Sequence, residues 1–140
     1  MLSKLIKYFN DHEDWLMERV LEYAKKTHYT QYTSTLKEAW RLSISGLSKS
    51  CAELLQTRGE DIELSPDEDY TNDPAAQFGI IEAQRHRERG VSLGMFLGLM
   101  KYYHQSYQDL IEESHFDAFT KKQYHNLINR FFDRVEIGFC

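Results

Sequence analysis

Apolar residues recur along most of this chain at intervals of three and four, the spacing of one face of an α-helix. Leu2, Leu5, Ile6 and Phe9, then Leu16, Val20, Tyr23 and Ala24, form such a stripe from Met1 to about Thr27. Asn10-Asp11 interrupts it with a possible cap, followed by the acids Glu13 and Asp14, so the stretch reads as one helix or two. His28 to Thr35 is β-branched and polar and reads as a connector, in which Ser34 or Thr35 can cap the next helix, Thr35 with Glu38 as a capping box. A second helix is predicted from about Leu36 to Arg58, with Trp40, Ile44, Leu47, Cys51, Leu54 and Leu55 on one face and Gly59 as its stop. A third, from Pro74 to about Arg89, has Asp73 as N-cap, Phe78, Ile81 and Ile80 turned inward, and Gly90 at the following turn. Ser92 caps a fourth, to about Ser114, whose Phe96, Met100, Tyr103, Tyr107 and Leu110 make a heptad-like seam. Asp117 or Thr120 opens a fifth, in which Tyr124, Leu127, Ile128, Phe131, Val135 and Phe139 repeat the pattern. No strand-like alternation competes, and the expected fold is an all-α bundle of about five helices.

The 140 residues suffice for a single domain spanning 1–140, and 41% hydrophobic with 14% aromatic residues argues against disorder. The formal charge of −5 speaks against a nucleic-acid binder relying on bulk positive charge. That acidity is local. The stretch from Gly59 to Asp73 carries Glu60, Asp61, Glu63, Asp67, Glu68, Asp69 and Asp73 with no base, which leaves 15 acids against 17 bases elsewhere. Such a loop reads as a solvated one, and it lacks the alternate ligand spacing and glycine of a calcium loop. Cys51 and Cys140 cannot staple a secreted scaffold, the apolar run Val91–Met100 is about half a membrane span, and no signal segment opens the chain. A cytoplasmic protein without membrane insertion is therefore expected.

Candidate chemistry is sparse. The six histidines show no metal-ligand spacing, and no CxxC, HExxH, phosphate-binding loop or nucleophile elbow is present, so neither a metal, a cofactor nor a catalytic residue is expected. The basic end of the third helix, with Arg85, His86 and Arg89, and the flank and seam of the fourth, with Lys101, Tyr103, His104 and Tyr107, form the candidate ligand-binding region. Gly94 and Gly98 share a face of the fourth helix where a second backbone can approach, within the chain or from a second copy. With Tyr124, Ile128, Phe131 and Val135 they make the candidate interface of a parallel homodimer. Arg130, Asp133, Arg134 and Glu136 flank the apolar stripe of the fifth helix, as on a solvated face or a coiled-coil flank. The chain reaches Cys140 with no polar tail, as a helix continuing into a further domain would.

The run from His86 to Tyr107 (HRERGVSLGMFLGLMKYYHQSY), followed by Phe131-Phe132-Asp133-Arg134-Val135-Glu136-Ile137, resembles the N-terminal helical module of bacterial cytoplasmic sensor proteins. In that family such stretches precede PAS, histidine-kinase or diguanylate-cyclase domains. The chain is also similar, more distantly, to the N-terminal sensor domain of stressosome co-antagonist proteins, a globin-like helical dimer without haem. Trp15, the 29–34 connector and the Ala39-Trp40 pair fit the same module, so the likeness spans most of the chain. It departs at His104, where the family tends to carry arginine, so a cationic contact there is expected to become pH-dependent or to be lost. The resemblance implies a globin-like sensory and dimerisation domain acting in cis on a C-terminal PAS or kinase-type output domain, first of all a two-component sensor histidine kinase. It implies no particular ligand. A stressosome-type interaction scaffold, or a sensor of haem or another small ligand on the same fold, are the alternatives.

Overall fold

The computed structural model describes residues 2–31 and 37–140. Within them the chain forms six α-helices: α1 Leu2–Asp11, α2 Glu13–Lys26, α3 Lys37–Arg58, α4 Pro74–Glu88, α5 Leu93–Glu112 and α6 Ala118–Ile137, with a short 3-10 turn at Tyr29–Gln31. The all-α reading stands, with one helix more than expected because the first segment is two. The break falls at His12, whose backbone (φ −121°, ψ 27°) leaves the helical region. Its ring Nδ1 lies 2.7 Å from the Tyr8 carbonyl rather than capping α2. The proposed caps at Ser34 and Thr35 lie outside the described residues.

The other helix ends follow local chemistry. Asp73 accepts a hydrogen bond from Ala76 N at 3.0 Å, Ser92 from Met95 N at 3.2 Å and Asp117 from Thr120 N at 2.8 Å, each satisfying a donor left open in a first helical turn. Gly59 and Gly90 take φ of +63° and +81° just after α3 and near the end of α4, a conformation side chains disfavour.

α3 packs against α1, α2 and α4, while α5 packs against α2, α4 and α6. Between them lies one continuous core built from the predicted seams: Ile44, Leu47, Cys51 and Leu54 of α3, Phe96, Met100, Tyr103, Tyr107 and Leu110 of α5, and Tyr124, Ile128, Phe131 and Val135 of α6 are all buried. α1 joins it through Leu5 and Phe9, and is tied across to α5 by the Tyr8 hydroxyl, which donates to the Leu110 carbonyl at 3.0 Å.

α4 departs from expectation. Ile80 and Ile81 are exposed, and the buried residues of the helix are the small ones, Ala75, Ala76 and Gly79. Sterics explain this. A Cβ on Gly79 would collide with the Val135 carbonyl of α6, and one on Gly138 would collide with the Ala76 carbonyl of α4. Two glycines, one from each helix, thus let the α4 and α6 backbones touch, and isoleucine cannot occupy that face. Gly138 keeps an ordinary right-handed backbone (φ −62°), so its role is this close approach rather than a left-handed stop. Phe78 points the other way, onto Gly46 of α3.

A buried arginine clamp and a polar ladder on the last helix

The acidic stretch between α3 and α4 is not a free solvated loop. Arg134, in the last two turns of α6, is fully buried, and the stretch wraps around its guanidinium. Nε donates to the Ile62 carbonyl at 2.8 Å and Nη2 to the Glu63 carbonyl at 2.8 Å. Nη1 donates to Asp73 Oδ1 at 3.1 Å and to Glu68, which also accepts from Nη2 at 3.2 Å. The Tyr70 ring lies 5.5 Å from the guanidinium carbon, within cation–π range. Glu68 is shared: Arg58 at the end of α3 donates to its Oε1 at 2.8 Å. Two arginines thus face two carboxylates, Glu68 and Asp73, and the charges balance. Hydrogen bonds from Arg134, and then from Arg58, outweigh burial and hold the Glu68 carboxyl below the usual carboxylate range, while the bond to Glu68 raises Arg58. Asp73 does double work, capping α4 through Oδ2 and holding Arg134 through Oδ1. Beside the clamp, Ile62 inserts into the core, and Arg130 pairs with Glu63 and Asp133 at the surface. The flank of α6 that suggested a solvated or coiled-coil surface is therefore covered from within the chain at Arg134, while Arg130 and Asp133 stay part-exposed.

Between α5 and α6 runs a chain of polar side chains. His104 Nε2 sits 2.9 Å from Asn129 Oδ1, with its ring stacked on Phe132 (centroids 4.7 Å apart, planes 10° apart). The Gln108 amide contacts Asn129 and, at its other end, His125 Nδ1, whose opposite nitrogen is 3.0 Å from Glu112 Oε2. Burial lowers the His104 pKa, against an upward pull from the Asn129 hydrogen bond. Lys101 Nζ reaches Glu136 Oε1 at 2.7 Å, as a charge contact without hydrogen-bond geometry.

A third polar group ties α2 to α5. Asp109 accepts from the Tyr23 hydroxyl, from Arg19 Nε at 3.1 Å and from Gln105 at 2.8 Å. Burial alone would raise Asp109; the hydrogen bonds outweigh it and hold the carboxyl below its ordinary value.

The seven residues of the expected ligand region do not converge. Tyr103 and Tyr107 point into the core toward α3. Tyr103 stacks near Trp40, and the Tyr107 hydroxyl pairs with Ser48 at 2.7 Å and the Ile44 carbonyl at 3.2 Å; burial raises both phenol pKa values. Lys101 and His104 face α6 instead. Arg85 and Arg89 are exposed at the end of α4, Arg85 paired with Glu82 at 3.2 Å. His86 bonds the Glu82 carbonyl at 2.7 Å and packs its ring on Phe96.

All the interface candidates but Gly94 turn inward as well. Tyr124, Ile128, Phe131 and Val135 are each 1% exposed or less. Gly98 is met by the Tyr29 hydroxyl of the same chain, so its close approach is intramolecular, and Gly94 faces open space. The seam is filled by this chain's own helices and is not available to a second copy.

The residues missed by the sequence reading are Arg58, Glu68 and Asp73 around Arg134, and Gln108, Glu112, His125 and Asn129 in the ladder. One signal pointed to the first group: a stretch of seven acids without a base, in a chain whose last helix carries Arg130 and Arg134. Among the described residues no group of three or more His, Cys, Asp or Glu is placed to hold a metal ion, and no helix is long and apolar enough to cross a membrane. No family model, curated protein or solved structure matches this chain.

Proposed function

We propose that this chain is a sensory or relay module of a bacterial signal-transduction protein, non-catalytic in itself, acting in cis on a C-terminal PAS or kinase-type domain such as that of a two-component sensor histidine kinase. The observation that supports the reading most is the way α6 is held. It is locked to α4 by the close approaches of Gly79 to the Val135 carbonyl and of Gly138 to the Ala76 carbonyl, to α5 by the ladder and the seam, and to the acidic stretch by Arg134. A displacement of any of these elements is passed to α6, because close-packed interfaces shift as units rather than deform continuously. The residues that carry the resemblance, 86–107 and 131–137, lie on the end of α4, on α5 and on α6, at the centre of this coupling. A cue acts through the module only by binding one arrangement of it better than another. The homodimer expected of such modules would have to use surface other than the buried seam; Ile80 and Ile81 of α4 are apolar and outward.

The test joins α6 in continuous helix to the dimerisation and catalytic core of a histidine kinase, with residues inserted one at a time at the junction. Autophosphorylation that rises and falls with the helical repeat supports transmission through α6. Activity indifferent to the insertions contradicts it. Light scattering on the chain alone should give twice the 16.6 kDa mass, and a monomer across micromolar concentrations removes the dimer from the proposal.

A further inference from the structure

Charge is segregated along this chain in both senses. The stretch before α4 has acids without a base, and two other stretches have bases without an acid: no Asp or Glu occurs from Tyr23 to Lys37 or from Arg89 to Gln108. The fold brings these two together. Tyr23 near the end of α2 and Tyr29 just beyond it pack on Tyr102 of α5, with ring centroids 5.5 and 5.8 Å away, and the Tyr29 hydroxyl sits over Gly98. The end of α4 reaches the same turns through the His86 ring, 4.4 Å from that of Phe96. Phe96 and Gly98 are about 200° apart around α5, so the ends of α2 and α4 flank its start from opposite sides. Lys25 and Lys26 thus stand on one flank and Arg87 and Arg89 on the other, with Leu93 and Gly94 exposed at the start of α5.

These four bases are free. Among the described residues six of the eight arginines pair with an acid, and the two that do not are Arg87 and Arg89. Lys25 and Lys26 make no ion pair there either. The helix dipole favours a base in a last turn, but it does not account for a base left without a partner. Arg58 ends α3 and Arg134 ends α6, and carboxylates hold both, while α1 and α5 end without a base. α2 and α4 are the helices that finish in unpaired bases, and they finish against the same turns of α5. The nearby acids Glu22 and Glu82 are taken up by Arg19 and Arg85, which leaves Glu88, exposed between Arg87 and Arg89.

We infer that this end of the bundle docks on an anionic lipid surface, with Lys25, Lys26, Arg87 and Arg89 against the headgroups and Leu93 reaching the acyl boundary. Bases spread over opposite flanks of a helix start suit a surface of many like anions better than a single ligand. Leu93, 58% exposed among them, adds the apolar element that lipid rewards and a polyanion in water does not. A nucleic acid fits less well. The tyrosines beside the patch are packed on one another rather than free to stack on bases, and the chain as a whole carries −5. That excess acidity sets the orientation, because the 59–73 stretch at the other end of α4 is repelled by the surface the basic end attracts. The contact is adsorption, since no helix among the described residues is long and apolar enough to span a bilayer. It stands apart from the relay reading, and it supplies a cue of the kind such a module takes.

The test is co-sedimentation of the full chain with vesicles of phosphatidylcholine alone or with about 30% phosphatidylserine. The chain should bind the anionic vesicles at about 50 mM salt, leave them at about 0.5 M, and ignore the neutral ones. Lys25→Gln with Lys26→Gln, and separately Arg87→Gln with Arg89→Gln, should each weaken binding about 25-fold, at about fivefold per base. Leu93→Ser should weaken it about tenfold. Lys49→Gln with Lys122→Gln removes two exposed bases of α3 and α6 for the same change in net charge, and should leave binding unchanged. All these side chains are exposed, and should one pair fail to fold by circular dichroism the other carries the test. No binding at low salt overturns the proposal, as does equal binding to neutral vesicles or an equal loss in the Lys49 and Lys122 pair. Displacement from the vesicles by an oligonucleotide at lower phosphate concentration also overturns it and assigns the patch to nucleic acid.

Discussion

Replacing Arg134 with alanine should be among the most damaging single substitutions in this chain, and its cost can be bounded from the structure. Two outcomes are open to the variant. If the acidic stretch stays in place, Asp73 and Glu68 lose a cationic partner in a site where their side chains are only 5% and 14% exposed. The carbonyls of Ile62 and Glu63 lose their donors too. Breaking a buried ion pair from one side costs about 3–5 kcal/mol. The remaining bonds, Arg58 to Glu68 and Ala76 N to Asp73, keep the cost toward the lower half of that range. If the stretch lifts away instead, the charges are hydrated but Ile62, 1% exposed, returns to water at roughly 1.5–3 kcal/mol, and the space left by the arginine's apolar stem adds to the cost. Either way the loss should be about 3 kcal/mol, and the melting temperature should fall by roughly 10 °C. Urea unfolding followed by circular dichroism at neutral pH measures it.

A second signature comes from pH. The folded Glu68 carboxyl titrates below its ordinary value, so its contribution is fully present above the unfolded carboxylate range and is lost as pH falls through the folded pKa. In Arg134→Ala that acid limb should flatten. Arg134→Met combined with Glu68→Met, which removes the charge from both sides, should recover part of the loss, as apolar replacement of buried pairs commonly does. A loss below about 1 kcal/mol with an unchanged acid limb would show that the arginine holds nothing in place, since that is the size of an ordinary surface effect.

Gly79→Ala should destabilise by about 1–3 kcal/mol or more, because its methyl meets the rigid Val135 carbonyl, whereas Gly94→Ala, facing open space, should be neutral or stabilise by about 0.5 kcal/mol; paired thermal melts compare them. His104 has a folded pKa below its unfolded value, so its contribution is present above the ordinary imidazole range and is lost as pH falls through the folded pKa; His104→Gln should shrink this part of the stability–pH slope in urea titrations. Burial pushes the Cys51 thiol up to about 12, so a thiol reagent should modify the exposed Cys140 at once in the native chain and Cys51 only on unfolding, which mass spectrometry resolves.

Local chemistry was the legible part of this sequence. The caps at Asp73, Ser92 and Asp117 and the positive-φ glycines after α3 and α4 depend on residues within one helical turn, and they sit where the pattern placed them. The seams of α3, α5 and α6 were legible too, because 3.6-residue periodicity reports which face is apolar. It does not report what covers that face. All but Gly94 of the residues read as a surface for a second copy are covered by the chain itself, a fact that depends on how helices far apart in sequence dock. α4 misled for a related reason: its inner face is chosen by backbone proximity to α6, which favours alanine and glycine over the more hydrophobic Ile80 and Ile81. Arg134 was hidden most deeply. An arginine is buried only when remote groups satisfy it, and here the Ile62 and Glu63 carbonyls lie 72 and 71 residues away in sequence. The expected site dispersed on the same grounds, since Tyr103 and His104, adjacent in sequence, point to different neighbouring helices.

α6 is the member shared by one packed body that includes α4 and the acidic stretch. Native-state amide hydrogen exchange tests this without any assumption about function. The buried amides of α4 and α6, together with Ile62 and Asp73 of the stretch between them, should open with a common free energy, and that shared value should drop in Arg134→Ala. Rapid exchange at Ile62 and Asp73 in the unaltered chain, while α6 stays protected, would mean that the stretch is merely laid over the helix and that nothing is transmitted through the clamp.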